Sequence, residues 1–433
     1  MENIYDTAII GGGPSGIMAA GRIAELAKKS GSNKNLKIIL IEKNPTLGTK
    51  LLITGGGRCN LTNAEYDTRK FLSKYNNKIQ QSDKFLFSAF SQFSVKDTIE
   101  FFNKRGMETK VEAGKRVFPI SDSAQSVWKV LVEYIKEGGV EIMTNANVVG
   151  FETENTNHGK EITSIKLDNG QNIKAKKYIL ATGGTSRPET GSTGDGYKWL
   201  KDLGHKIIPS DNALVPVTLD INNKNKWLKN LQGVTLDEIK LTTFQNNQKQ
   251  ETKRGRILFT HFGISGPTVL NMSRDISELL KYGEVEIRLD LVPDLDHGMT
   301  NNRLQELFKI DNKKMIKNSL GSLIPPSLVD VVLELSNING DKENNGITRE
   351  EHLKLIETIK NIPLYVTGLL GADKAIVSSG GVDLTEVDFR TMQSRIIPNL
   401  YLVGDILNID RPSGGYSLQL CWTTGYVAGS HCI

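Results

Sequence analysis

Thr7-Ala8-Ile9-Ile10-Gly11-Gly12-Gly13-Pro14-Ser15-Gly16 decides how this 433-residue chain is read. An apolar run ends in glycines, and an apolar-periodic segment, Ile17 to Leu26, follows. A second strand-like run, Leu36 to Ile41, ends at Glu42. The order is strand, glycine turn, helix, strand, acid. Gly11, Gly13 and Gly16 fit the G-x-G-x-x-G pattern of a dinucleotide site. Gly11 permits the tight turn, Gly13 lets a pyrophosphate approach the backbone, and Gly16 lets the helix pack closely on the strand. The helix that begins at Pro14 and Ser15 offers unpaired amides and a partial positive charge to the phosphates. Glu42 can accept hydrogen bonds from both ribose hydroxyls, and its charge repels a 2′-phosphate. It lies beyond the usual ~20 residues from the glycines. The polar stretch Ser30 to Asn35 reads as a loop insertion that explains the excess.

The length allows two to three domains. A hydrophobic share of 38% and a charged share of 24% are those of a globular protein with a sizeable core. The net charge of +5 is spread among acids and asparagines without a basic stripe, which argues against a nucleic-acid partner. Cys59, Cys421 and Cys432 have no metal-ligand spacing and point to a reducing compartment, and no metal is expected. With the first strand beginning so near Met1, no signal peptide is expected. No apolar run approaches the ~18 residues of a membrane span, so no membrane partner and a cytoplasmic location are expected. The sequence does not set the oligomeric state.

Gly48-Thr49-Lys50-Leu51-Leu52-Ile53-Thr54-Gly55-Gly56-Gly57-Arg58-Cys59-Asn60-Leu61-Thr62-Asn63 follows Glu42 and Lys43. Three consecutive glycines favour no regular element and mark backbone approached closely by another group. Arg58, Asn60, Thr62 and Asn63 crowd polar groups beside them. The spacing of Phe85, Phe87, Phe90, Phe93, Phe101 and Phe102 predicts a helix over 85–105, with these aromatics in the core. Residues 111–119 read as a strand or hairpin, 126–136 as a helix, and 161–178 as a hairpin turning at Asp168-Asn169-Gly170. The strand Tyr178 to Leu180 ends in Ala181, Thr182 and Gly183, where a returning sheet strand passes the nucleotide. Asp195 caps a helix over 197–203.

From about residue 207 short alternating strands predict a β-rich insertion. Within it, Thr260-His261-Phe262-Gly263-Ile264-Ser265-Gly266-Pro267 precedes a short helix over 268–272. Helices are expected over 300–337 and 348–360. The tail returns to glycine-rich sequence at Ser378-Ser379-Gly380-Gly381-Val382. It then runs a strand, Leu400 to Val403, into Gly404-Asp405, and opens a last helix near Gly415-Tyr416-Ser417-Leu418.

That second strand ending in Gly-Asp separates FAD from NAD. An NAD domain is finished within ~150 residues, whereas Gly404-Asp405 lies near the opposite end of the chain. Folded back beside the fingerprint, Asp405 stands at a strand's carboxyl end and can accept from a ribityl hydroxyl, which NAD lacks. The last helix then points its positive end at the flavin pyrimidine.

These pieces resemble the HI0933-like (YhiN/BaiN-type) family of bacterial FAD-dependent oxidoreductases. The resemblance runs through Gly11 to Gly16, Gly48 to Asn63, Ala181 to Gly184, Thr193 to Gly204, Phe259 to Pro267, Gly380 to Val382 and Gly414 to Gly429. Ala181 to Gly184 and Thr193 to Gly196 are also similar, more distantly, to fumarate-reductase-like flavoproteins. Asp405 stands where many members have Glu, and the loop Asn408 to Ser413 departs from the family pattern. The resemblance implies a Rossmann-like α/β FAD domain from 1–205 and 366–433. It also implies a β-barrel-like insertion at 206–295 and 345–365 and a helical subdomain at 296–344. It places Glu42 and Lys43 at the adenosine ribose and Val148 at adenine. Lys50, Thr54, Gly56, Gly57, Arg58, Cys59, Asn60, Gly404, Asp405, Gly415, Tyr416, Ser417 and Leu418 fall around the flavin.

No second G-x-G-x-x-G occurs, so NAD(P)H is expected only as a transient electron donor. The expected activity is oxidation or reduction of a small molecule at the flavin. An amine oxidase, an RNA-modifying or RNA-binding flavoprotein and a flavoprotein scaffold without turnover are the alternatives. Cys59 is a candidate redox thiol or a loop support, and His261 a candidate proton donor or a structural histidine. Tyr416 is a candidate substrate contact or a helix cap. Arg58 binds an anionic substrate group or supports its loop.

Overall fold

Ala8, Ile9 and Ile10 of strand Ile4–Ile10 are buried on both faces, the condition of a central strand in a parallel sheet. The structure, a computed structural model, describes residues 4–29, 36–75, 81–157, 159–209, 214–370 and 380–433. The expected loop Ser30 to Asn35 and the pair Ser378-Ser379 lie outside them. The chain forms two compact units, Met1–Asp211 with Ile376–Ile433 and Asn212–Ala375.

In the first unit, strand Ile38–Ile41 pairs parallel with one side of Ile4–Ile10 and strand Asn172–Leu180 with the other. Strand Glu141–Met143 extends the sheet beyond Ile38–Ile41, and Leu400–Leu402 extends it beyond Asn172–Leu180. The two chain ends thus share one parallel sheet. Strands Val148–Thr156 and Gly159–Leu167 join it antiparallel at the start of Asn172–Leu180. Helix Pro14–Lys29 starts on proline, whose fixed φ and missing N–H suit a first helical position. Lys28 and Lys29 in its last turn complement the helix dipole. It packs against helices Ala124–Glu137 and Tyr416–His431. The last of these is buried nearly all round, as a helix inside a large core must be.

Local chemistry moves several boundaries. The expected helix over 85–105 is two, Ser82–Gln92 and Val95–Asn103. Ser94 breaks it, because its hydroxyl and the Asp97 carboxylate form a reciprocal capping box. Asp195 is not a cap: Gly194 holds that position, and Asp195 lies in the first turn of helix Asp195–Leu203. The hairpin expected over 111–119 forms from Thr109–Glu112 and Arg116–Pro119.

In the second unit, strands Val217–Leu219, Gly263–Ser265, Gln248–Thr260, Thr235–Gln245, Val285–Asp290 and Ile362–Leu369 close a barrel. The ladder reaches Leu369, which pairs with Val217. The domain boundary expected at residue 366 therefore cuts a barrel strand, and the unit continues past it. The helix expected over 268–272 runs from Pro267 to Leu280. The region expected to be helical over 300–337 is broken into helices His297–Ile310, Ile316–Ser319 and Val329–Ser336. Helix Arg349–Lys360 follows them. Among the described residues no helix is long and apolar enough to cross a membrane.

Candidate functional site

Three strand ends meet at the glycine turn. The Gly11 amide donates to Ile41 O at 2.8 Å, and the Ala181 amide donates to Ile10 O at 2.8 Å. Gly11 has φ +105°, and a Cβ there would strike the Ala181 carbonyl, so only glycine fits. At Gly13 the opposite holds: no heavy atom lies within 4 Å of the place a Cβ would take. Open backbone thus stands at the N-terminus of a 16-residue helix. Ser15 is buried in the first turn, where Gly404 packs against its hydroxyl.

Glu42, 8% exposed, accepts from Gly12 N at 2.7 Å and from Asn44 N at 2.8 Å. The Ala146 amide donates to Glu42 O, which brings the start of strand Val148–Thr156 alongside. Lys43 donates to Thr193 Oγ1 at 2.6 Å and pairs with Asp195 at 3.0 Å, tying the 190s loop to this end of the sheet. Thr182 Oγ1 is buried without a hydrogen-bond partner among the described residues. Gly183 beside it is left-handed, at φ +73°.

The turn Thr54–Gly57 explains the triple glycine. Gly55, Gly56 and Gly57 all have left-handed φ, and nothing lies within 4 Å of a Cβ placed on Gly56 or Gly57. Thr54 Oγ1 donates to Leu51 O at 2.7 Å. Arg58 reaches Glu112 and Asp122, each at 2.5 Å, and lies 4.2 Å over the Phe118 ring. Its fork is committed to protein carboxylates, which is loop support. Cys59 is buried, and burial pushes its thiol up to about 12, against a hydrogen bond with Thr54. A protonated, buried thiol is a poor nucleophile, so the geometry favours the supporting reading over the redox one.

The two chain ends are stitched together here. With its side-chain amide oriented to satisfy both ends, Asn60 accepts from Gly415 N and donates to Thr62 O, both at 3.0 Å. Asn63 Nδ2 donates to Gly414 O at 3.3 Å. Thr62 Oγ1 donates to Gln419 Oε1 at 2.6 Å, and Trp422 Nε1 donates to Leu61 O at 3.0 Å.

Gly404-Asp405 lies at the carboxyl end of strand Leu400–Leu402, where ligands of open α/β sheets bind. The Asp405 carboxylate pairs with Arg411, and Lys50 Nζ stands 3.7 Å away. Lys50 also donates to Ser186 Oγ at 2.6 Å. Arg411, 6% exposed, donates from Nε to Ser417 Oγ at 3.0 Å and from Nη1 to Ile409 O at 2.7 Å. The Tyr197 hydroxyl donates to Asp405 O at 3.0 Å. The Tyr416 ring packs 4.7 Å from Phe71, and its carbonyl accepts from the Tyr75 hydroxyl at 2.7 Å. Leu418 is buried behind it.

His261 belongs to the barrel unit. It is exposed on the turn after strand Gln248–Thr260, with its ring 4.9 Å from Phe262. Arg411, Tyr197 and Gln419 also stand in the assembly of the first unit, and no motif marks them in the sequence. For Arg411 the signal was a lone cation in the loop just after Gly404-Asp405.

Residues 5–431 match the HI0933-like protein Rossmann domain. The chain belongs to that family. This HI0933-like protein is 32% identical over 422 residues to a 3-dehydro-bile acid delta(4,6)-reductase of Clostridium scindens, covering 97% of each chain. It is 30% identical over 430 residues to a ribosomal RNA dihydrouridine synthase of Escherichia coli, covering 99% of this chain and 98% of the relative. A 3-ketosteroid delta1-dehydrogenase from Sterolibacterium denitrificans superposes with a TM-score of 0.54 at 13% identity, covering 100% of this chain and 99% of that one. A flavocytochrome c3 fumarate reductase superposes at 0.52 and 16% identity, covering 100% of this chain and 78% of that one. These structural likenesses establish the fold. The HI0933-like protein is an FAD-dependent oxidoreductase with a Rossmann-type FAD-binding domain. Its own residues suit FAD. Open glycine backbone faces a helix N-terminus, one buried carboxylate ends the second strand, and another carboxylate ends the strand from the far end of the chain.

Proposed function

We propose that the protein reduces a carbon–carbon double bond conjugated to a carbonyl, with NADH or NADPH as electron donor. The observation that carries this reading is the pair of relatives matched almost end to end. A 4,6-diene beside a 3-oxo group and the uracil double bond beside its carbonyl share one chemistry: both are electron-poor alkenes that accept hydride. A small conjugated ketone is the substrate class this reading favours. The second reading, uridine within ribosomal RNA, is favoured by the relative of that name.

FAD supplies hydride transfer when bound. In this reading the chain's residues position it. Gly11, Gly13, Pro14, Ser15 and Gly16 hold the pyrophosphate at the helix N-terminus. Glu42 and Lys43 serve the ribose end, with Val148 beside them. Ala181, Thr182, Gly183, Lys50, Gly404 and Asp405 line the middle, and Asp405 accepts from the ribityl chain. Thr54, Gly56, Gly57, Arg58, Cys59, Asn60, Gly415, Tyr416, Ser417 and Leu418 build the flavin end. The amides that open helix Tyr416–His431 favour negative charge on the ring.

The test is anaerobic. Purified protein is reduced with NADH or NADPH, then mixed separately with a 3-oxo-4-ene steroid, its saturated ketone, an amine and unmodified ribosomal RNA. Reoxidation by the conjugated ketone but not the saturated one supports the main reading. Reoxidation by RNA alone supports the second. Flavin reduced by the amine instead would move the protein to the oxidases.

A further inference from the structure

We infer that Arg411 sets the reduction potential of the bound flavin, acting as a positioning residue for charge at the flavin end of the site. The inference rests on the FAD reading above.

Arg411 is a cation where electrostatics disfavours one. It bonds Ser417 in the first turn of helix Tyr416–His431, beside the positive end of the helix dipole. A buried guanidinium needs an anion, and Asp405 provides it. Among the described ion pairs, however, Asp405 is shared with Lys50. Two cations therefore lean on one carboxylate. Asp410, the residue before Arg411, is a second carboxylate in this loop, while Tyr75, Tyr197 and Cys421 add no charge. Burial pushes the Tyr75 and Tyr197 hydroxyls well above their ordinary value and the Cys421 thiol up to about 12, so all three stay neutral. Arg411, its side chain fully buried, thus fixes a positive charge at this end of the site.

Fixed charge of this kind selects ligand states of opposite sign. Two electrons and one proton added to a neutral flavin leave one negative charge on the ring. The positive charge of Arg411 lowers the energy of that reduced state relative to the oxidised one. Arg411 is held at three points, by Asp405, Ser417 and Ile409 O, so its charge cannot drift away as the flavin changes state. Asp405 then has two parts in this account: ribityl acceptor and anchor of the guanidinium.

The test measures the two-electron midpoint potential of the holoenzyme by dye equilibration at saturating FAD, with the FAD dissociation constant measured in parallel. In Arg411→Gln the ratio of reduced to oxidised flavin at a fixed potential should fall at least tenfold, about 30 mV for a two-electron couple. Arg411→Lys should recover most of it. Asp405→Asn, which removes the compensating carboxylate, should shift the potential the opposite way, upward. A general loosening of the site cannot give opposed signs. Unchanged potential in Arg411→Gln overturns the inference. If that variant does not fold, a fall or no change in Asp405→Asn overturns it. Wild-type protein that binds no FAD would instead defeat the flavoprotein reading on which the inference rests.

Discussion

Gly425 of the last helix lies flat against the Ser15 carbonyl of the first, so close that a Cβ on Gly425 would overlap it. Four residues on, Gly429 meets the Ala19 carbonyl in the same way. This contact brings the Gly404-Asp405 turn beside the glycine fingerprint. Gly425→Val should therefore cost about 3 kcal/mol or more, at the upper end for overpacking, and should lower FAD retention. Thermal unfolding and flavin content after gel filtration measure both. A variant that melts like wild type and stays fully loaded would mean the helices need no close approach.

Glu42 has two jobs that one substitution separates. Its carboxylate satisfies the amides of Gly12 and Asn44. Glu42→Ala should destabilise the apoprotein by about 1–3 kcal/mol, because buried amides lose their acceptor. FAD affinity should fall at least tenfold further, read by quenching of flavin fluorescence. Glu42→Gln should recover part of the stability and little of the affinity. Equal FAD affinity in all three proteins would remove Glu42 from the ribose.

Cys59, Cys421 and Cys432 are buried free thiols, and burial pushes each up to about 12. The native protein should show no fast reaction with a chromogenic disulfide reagent at neutral pH, and all three should react after denaturation. Cys59→Ser should still be reduced by NADH or NADPH at close to the wild-type rate. Rapid native labelling at Cys59, with loss of flavin reduction, would restore its candidacy as a redox thiol.

His205 lies between Ser394 Oγ and Glu386 Oε2, each at 2.9 Å. The order is that of a hydrolase triad, but Ser394 and His205 are buried and Ser394 Oγ also accepts from the Ile396 and Ile397 amides. It is a structural relay. Burial holds the imidazole below its ordinary value, against the opposing pull of Glu386. The unfolded chain thus binds a proton that the folded one refuses. Stability is full above about pH 6.5 and is lost as pH falls toward the folded value. Melting temperatures across this range should drop more steeply for wild type than for His205→Gln. Parallel slopes would assign the acid sensitivity to other groups.

Much of this was legible in the sequence because the deciding residues are local. Gly11 to Gly16 and Glu42 announce the turn, helix and strand by spacing alone, and Ala8 to Ile10 reads as buried because its apolar run does not alternate. What stayed hidden depends on long-range pairing. The partners of Arg58 are Glu112 and Asp122, and that of Thr62 is Gln419, far along the chain. Nothing near Arg411 in sequence says that Lys50 shares its carboxylate. The break at Ser94 was local and readable, since Ser-x-x-Asp is a helix start, but the phenylalanine spacing on either side masked it.

The most direct measurement is an anaerobic single turnover. Enzyme reduced with one equivalent of NADH or NADPH is mixed with a 3-oxo-4-ene steroid, and the product is identified by mass. The account predicts that oxidised flavin reappears as the steroid gains two hydrogens across its conjugated double bond, one product per flavin. Reduced flavin that persists against this steroid and against unmodified ribosomal RNA, yet is readily reoxidised by oxygen, would contradict it.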